Sequence, residues 1–96
     1  MKRVLIIDDE PDIREITKIS LELTKQWDVL TAGSSQDGIA IAMSQQPDAI
    51  LLDVMMPDVD GLATLTHLKT DATTQPIPVI MLTATANLAT HRQYAE

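Results

Sequence analysis

The sequence predicts an α/β fold built on one open, parallel sheet. Strand and helix signals alternate along the whole chain. The strand signals are short, unbroken aliphatic runs, the pattern of parallel strands buried on both faces. The segments between them are long enough for helical crossovers.

Val4 to Ile7 is the first such run, and it stops at Asp8-Asp9. Pro11 suits a first helical turn, with Asp9 as N-cap. Ile13, Ile16, Ile19 and Leu23 then recur at helical spacing, with Leu21 beside them and Arg14, Glu15, Lys18 and Glu22 on the other side. The spacing predicts an amphipathic helix from Pro11 to about Thr24. Val29 to Ala32 is the second strand, closed by Gly33. Ser34-Ser35-Gln36-Asp37 reads as a capping-box variant that opens a helix reaching about Gln46, with Ile39, Ala40, Ala42 and Met43 as its apolar face. Pro47-Asp48 breaks that helix. Ala49 to Leu52 is the third strand, ending in Asp53, and residues 54–61 form a loop containing Pro57 and Gly61. Asp60 can cap a third helix carrying Leu62, Leu65 and Leu68. After a polar, Pro-rich connection over 71–78, Val79 to Leu82 is a fourth strand ending in Thr83. Asn87 to Glu96 predicts a fourth helix, with Leu88, His91 and Tyr94 roughly on one side.

A chain of 96 residues is one domain at most. The aromatic side chains are Trp27 and Tyr94, so the core is aliphatic and no platform for stacking nucleic-acid bases is present. With 14 acidic and 7 basic residues the net charge is −7, which argues against binding a phosphate backbone and favours a cation or a basic partner. No cysteine is present, which excludes disulfides, thiolate metal sites and a thiol nucleophile. The apolar run after Met1-Lys2-Arg3 is too short for a signal core or a membrane span, so a cytoplasmic location is expected.

In an open α/β sheet, ligands bind beyond the carboxyl ends of the strands. At that rim the first strand ends in Asp8 and Asp9, the third in Asp53 and the fourth in Thr83. If strand order reverses at the first strand, the first and third are neighbours and three carboxylates converge. Such a cluster is unfavourable unless a proton or a cation shares it, and its hard oxygen ligands suit Mg²⁺. A lone Asp after a strand is most often a cap or turn residue; three of them with a hydroxyl at one rim are harder to explain that way. Asp9 can serve both as cap and as ligand.

These residues resemble the receiver domain of two-component response regulators. Ile7-Asp8-Asp9-Glu10-Pro11 is similar to the family's acidic pair, and Pro47 to Pro57, containing Ile50-Leu51-Leu52-Asp53-Val54-Met55-Met56, to its phosphoacceptor strand and loop. Asp60-Gly61 matches the following turn, and Pro78 to Ala84 the strand with the switch hydroxyl. The resemblance implies a flavodoxin-like parallel sheet of order 2-1-3-4. It implies that Asp53 accepts a phosphoryl group from a sensor histidine kinase or phosphotransfer protein, as a phosphoacceptor rather than an enzyme. Mg²⁺ would be held by Asp9 and Asp53, the Met55 carbonyl and, through water, Asp8. Thr83 would donate to a phosphoryl oxygen, and its inward movement would alter the surface of the fourth strand and helix. The family continues for one more strand and helix, with a Lys at the phosphoryl group, whereas this chain ends at Glu96. Residues 1–96 therefore read as a truncated receiver, with strand 79–82 as a bare hydrophobic edge. That edge predicts a homodimer. The alternative is a non-signalling dimerisation module of receiver ancestry.

Other chemistries fit less well. An aspartate-nucleophile phosphatase commonly places a second Asp two residues after the nucleophile, where this chain has Met55, and no Gly-rich loop with Lys-Ser/Thr exists for a nucleotide. His67 and His91 read as surface or boundary residues, and Trp27 as a partly buried anchor.

Overall fold

A computed structural model describes residues 2–53 and 61–82. Their elements are β1 (Arg3–Ile7), α1 (Pro11–Lys25), β2 (Asp28–Ala32), α2 (Ser35–Gln45), β3 (Ala49–Asp53), α3 (Gly61–Thr70) and β4 (Val79–Leu82). The four strands form one parallel sheet in the order β2-β1-β3-β4. This is the flavodoxin-like arrangement expected, with β4 at an edge among the described residues. The loop predicted over 54–61 lies outside the described residues as far as position 60, with Met55 and the Asp60 cap, and its last residue, Gly61, instead opens α3. Thr83 and the helix expected after Asn87 also lie outside the described residues.

The first aliphatic run becomes a strand buried on both sides, whereas β2 and β3 mix buried with half-buried residues and Ile80 of β4 is exposed. Val4 to Ile7 are all at most 2% exposed. Alternation along each strand divides them between two faces. Leu5, Ile7, Ala32, Ile50 and Leu52 join Ala42, Leu68 and Ile77 in the main core, with Leu30, Ile39, Leu65 and Val79 packed against it. That core lies beneath α2 and α3. Gly38 of α2 lets this helix sit close on β1: a Cβ there would lie 2.5 Å from Ile7 Cδ1. Ser34 caps α2 by accepting from the Asp37 N–H at 3.1 Å, the forward half of the expected capping box. The 71–78 connection is pinned rather than loose. Buried Thr74 donates its hydroxyl to the Leu68 carbonyl at 2.6 Å, and Lys69 Nζ reaches the Ile77 carbonyl at 2.7 Å.

One helical expectation is corrected. The N-cap of α1 is Glu10, not Asp9, and its side chain makes no capping bond. Asp9 instead belongs to the carboxylate group described below. The aliphatic stripe of α1 is exposed: Ile16 is 64% exposed and Leu23 76%, with Ile13 and Ile19 exposed as well. The half-buried side of the helix is Arg14, Thr17, Lys18, Leu21 and Glu22, at i, i+3, i+4, i+7 and i+8. The charged heads of Arg14 and Lys18 reach the Asp8 carbonyl and the Glu22 carboxylate. In α3, Leu65 and Leu68 pack inward as expected, whereas Leu62 is exposed.

Candidate metal centre

Order β2-β1-β3 puts the ends of β1 and β3 side by side. Ile7 is in register with Leu52, so the residues one step further, Asp8 and Asp53, emerge from adjacent strands at the same rim. Asp8 is 5% exposed and Asp53 2%, while Asp9 is half-buried. One carboxylate oxygen from each of Asp8, Asp9 and Asp53 lies within 4.8 Å of the others. The three predicted acidic ligands are thus brought together. Leu82 is in register with Asp53, which carries the end of β4 to the same rim. Met55 and Thr83, the other two predicted site residues, fall outside the described residues.

Local bonds hold Asp8 firmly. Its N–H donates to the Ala32 carbonyl at 3.0 Å, extending the β1–β2 ladder by one residue. Its Oδ1 accepts from the Glu10 N–H at 2.9 Å, an Asx-type turn that fixes the side chain. Its carbonyl accepts from Arg14 Nη1 at 2.7 Å. Arg14 was not anticipated as a site neighbour. Its charge marks it as a surface residue of α1, and only the packing of that helix shows where the guanidinium goes.

The chemistry of the group follows from its donors. Three carboxylates, two of them buried, repel one another in a medium less polar than water. The donors are all hard oxygens, a set that suits a small divalent cation and not a thiophilic or imidazole-preferring metal. A Mg²⁺–oxygen distance of about 2.1 Å puts ligands on opposite sides of an ion about 4.2 Å apart, close to the span found here. The carboxylates therefore fit Mg²⁺ with retained water.

The opposite end of the sheet carries a different feature. Val4, Trp27, Ala49, Leu51, Pro78 and Ile80, together with Lys2 and Asp48, line a largely apolar groove of about 260 Å³. Trp27 is half-buried there, as expected of an anchor. His67 is exposed on α3, in keeping with a surface role.

Comparison with known proteins bears on the same residues. The family model for the response regulator receiver domain matches residues 4–96. The DNA-binding dual master transcriptional regulator RpaA of Synechocystis sp. is 46% identical over 84 residues, which are 88% of this chain and 34% of that protein. Protein PilH of Pseudomonas aeruginosa is 40% identical over 84 residues, covering 86% of this chain and 68% of its own length. The chain thus spans about a third of the first relative and two thirds of the second. Among solved structures, the N-terminal domain of a response regulator receiver protein from Methanoculleus marisnigri superposes with a TM-score of 0.84 at 34% identity, over 99% of this chain and 77% of that one. The chemotaxis protein CheY4 of Vibrio cholerae gives a TM-score of 0.81 at 27% identity, over 99% and 79%.

Proposed function

Because this chain belongs to the response regulator receiver domain family, we propose that it accepts a phosphoryl group on Asp53 from a sensor histidine kinase or phosphotransfer protein in the cytoplasm. The observation that carries the reading is the meeting of Asp8, Asp9 and Asp53 at the carboxyl rim of β1 and β3. In the transfer, an Asp53 carboxylate oxygen forms a bond to phosphorus as the bond between phosphorus and the donor imidazole nitrogen breaks. The products are an aspartyl phosphate and free histidine. The chain is the phosphoacceptor and not a turnover enzyme. Catalysis of this kind rests on positioning and charge neutralisation. Asp9 and Asp53 directly, Asp8 through water, and the Met55 carbonyl would hold Mg²⁺, which supplies the neutralising charge. Thr83 donates a hydrogen bond to a phosphoryl oxygen and transmits the change to the end of β4. With a net charge of −7, these residues favour no nucleic-acid contact. No helix among the described residues is long and apolar enough to cross a membrane.

Intact mass after treatment with a small-molecule phosphodonor and Mg²⁺ tests the reading. The expected result is a gain of one phosphoryl group that Asp53→Asn abolishes. An unchanged mass, or the same gain in the variant, would refute it.

A second reading is favoured by exposed apolar surface. Ile80 on β4 is 52% exposed, and the α1 stripe is open among the described residues. Here the chain pairs with a second copy through the 79–82 edge, as a dimerisation module that need not signal. Sedimentation equilibrium at micromolar concentration is expected to show a dimer that Ile80→Lys dissociates. A cooperatively folded wild-type monomer ends this reading.

A further inference from the structure

We infer that Arg14 is a positioning residue for the carboxylate cluster: its guanidinium, clamped on the Asp8 carbonyl over Gly33, sets the direction in which the Asp8–Asp9 peptide leaves β1. The inference rests on the receiver reading in one respect, that the cluster holds a divalent ion.

Three observations carry it. First, the β1–β2 ladder runs out at this point. Asp8 N–H takes the last bond, to the Ala32 carbonyl. β2 ends at Ala32, and the chain turns away so that Ser34 can cap α2. The Asp8 carbonyl therefore meets the Arg14 guanidinium instead of another strand residue, at 2.7 Å, the short range of a charge-assisted bond.

Second, Arg14 places its charge on a main-chain oxygen. The ion pairs among the described residues are Arg3–Asp28 and Lys18–Glu22, so the half-buried guanidinium does not pair with a carboxylate there. The seat is shaped for it. A Cβ at Gly33 would lie 3.0 Å from Arg14 Nη1 and 3.6 Å from Cζ. Gly33 has no positive φ, so close approach, not backbone conformation, explains the glycine.

Third, the two aspartates differ in how they are held. The Asp8 carboxylate is tied to the Glu10 N–H. The Asp9 carboxylate takes no hydrogen bond among the described residues, so its place depends on the backbone that presents it. The peptide between them is the one whose carbonyl Arg14 grips. Tilting that peptide moves Asp9 relative to Asp8 and Asp53.

Residues that orient metal ligands typically change affinity by about 10- to 100-fold when removed. The probe is Mn²⁺, titrated into the full chain and read by the electron paramagnetic resonance signal of the free ion, with far-UV circular dichroism to confirm folding. Arg14→Met is expected to weaken Mn²⁺ binding by about tenfold. Arg14→Lys, which can still donate to the carbonyl, recovers much of the loss. Gly33→Ala, which displaces the guanidinium without removing it, weakens binding in the wild-type background and has no effect in the Arg14→Met background, as a double-mutant cycle requires of coupled residues. If Arg14→Met fails to fold, Gly33→Ala in the wild-type background decides the matter alone, and binding unchanged there overturns the inference. In metal-free protein, Arg14→Met should move the Asp9 amide resonance, because the bond it loses is to the carbonyl of that same peptide. Arg14→Met binding Mn²⁺ like wild type, or Gly33→Ala costing the same in both backgrounds, overturns the inference. Wild-type protein that binds no Mn²⁺ defeats the metal centre itself, while the amide resonance still shows whether Arg14 governs the Asp9 peptide.

Discussion

Replacing Asp9 with Asn should make the metal-free protein more stable, although it removes a proposed ligand. Asn keeps the shape and removes one of three charges. Oxygens of Asp8, Asp9 and Asp53 lie within 4.8 Å of one another. At that separation a pair of unit charges repels by about 0.9 kcal/mol in water and about 3.5 kcal/mol at an effective dielectric constant of 20. Asp9 faces two such charges but is half-buried, so the value nearer water applies, and the relief sums to about 2 kcal/mol. For a domain of this size that raises the unfolding temperature by roughly 10 °C. Mg²⁺ should reverse the ranking. A ligand at a hundred times its dissociation constant stabilises by about 2.7 kcal/mol, so the wild type overtakes a variant that binds the ion poorly. Thermal or urea unfolding of both proteins, in EDTA and in excess Mg²⁺, reads all four values. A variant no more stable than wild type in EDTA refutes the argument that these carboxylates repel. A wild type indifferent to Mg²⁺ refutes the argument that an ion relieves them.

Further outcomes follow from the packing and from one surface turn. Gly38→Ala brings a Cβ to 2.5 and 2.6 Å from Ile7 Cδ1 and Cγ1 and 3.1 Å from Cγ2, too many atoms for one rotamer change to clear. Overpacking costs about 1–3 kcal/mol against about 1 kcal/mol of helix propensity gained, so urea unfolding should show a net loss of about 1 kcal/mol, smaller in an Ile7→Val background. Ser35→Ala removes the buried 2.7 Å bond to Thr64 that links α2 to α3, and should cost about 1 kcal/mol in the same assay. Hydrogen bonds from the Thr73 hydroxyl and then its N–H hold the Asp71 carboxyl below its ordinary value of 3.8. A depressed folded pKa means that this turn's contribution is present at neutral pH and is lost as pH falls through the folded value. An NMR titration of Asp71 should give a midpoint below 3.8 that rises in Thr73→Ala.

Much of the site was legible because its parts are local. Each aspartate stands directly after an apolar run, and a strand end is visible wherever such a run meets charge. The Ser34 cap was legible for the same reason, since its bond to Asp37 spans three residues. The Asp9 cap was misread because two chemical roles compete for one residue. Glu10 took the cap position without a side-chain bond, leaving Asp9 among the carboxylates. The α1 stripe shows where local reading stops. Its spacing gives the helix an apolar side, but period alone cannot say which neighbour that side meets. In the described structure Arg14, Lys18 and Leu21 are half-buried, whereas Ile16 and Leu23 are exposed.

The residues alone determined the four strand runs, the helices between them and the acidic residues closing the first and third strands, because side-chain periodicity and chain-breaking chemistry act over a few positions. Tertiary structure decided that β1 and β3 are neighbours, that Asp8 and Asp53 therefore share a rim, and that Arg14 turns inward to meet the Asp8 carbonyl. Those outcomes depend on strand pairing and packing between segments tens of residues apart, where the free energy belongs to the assembled contacts and not to any one stretch of chain.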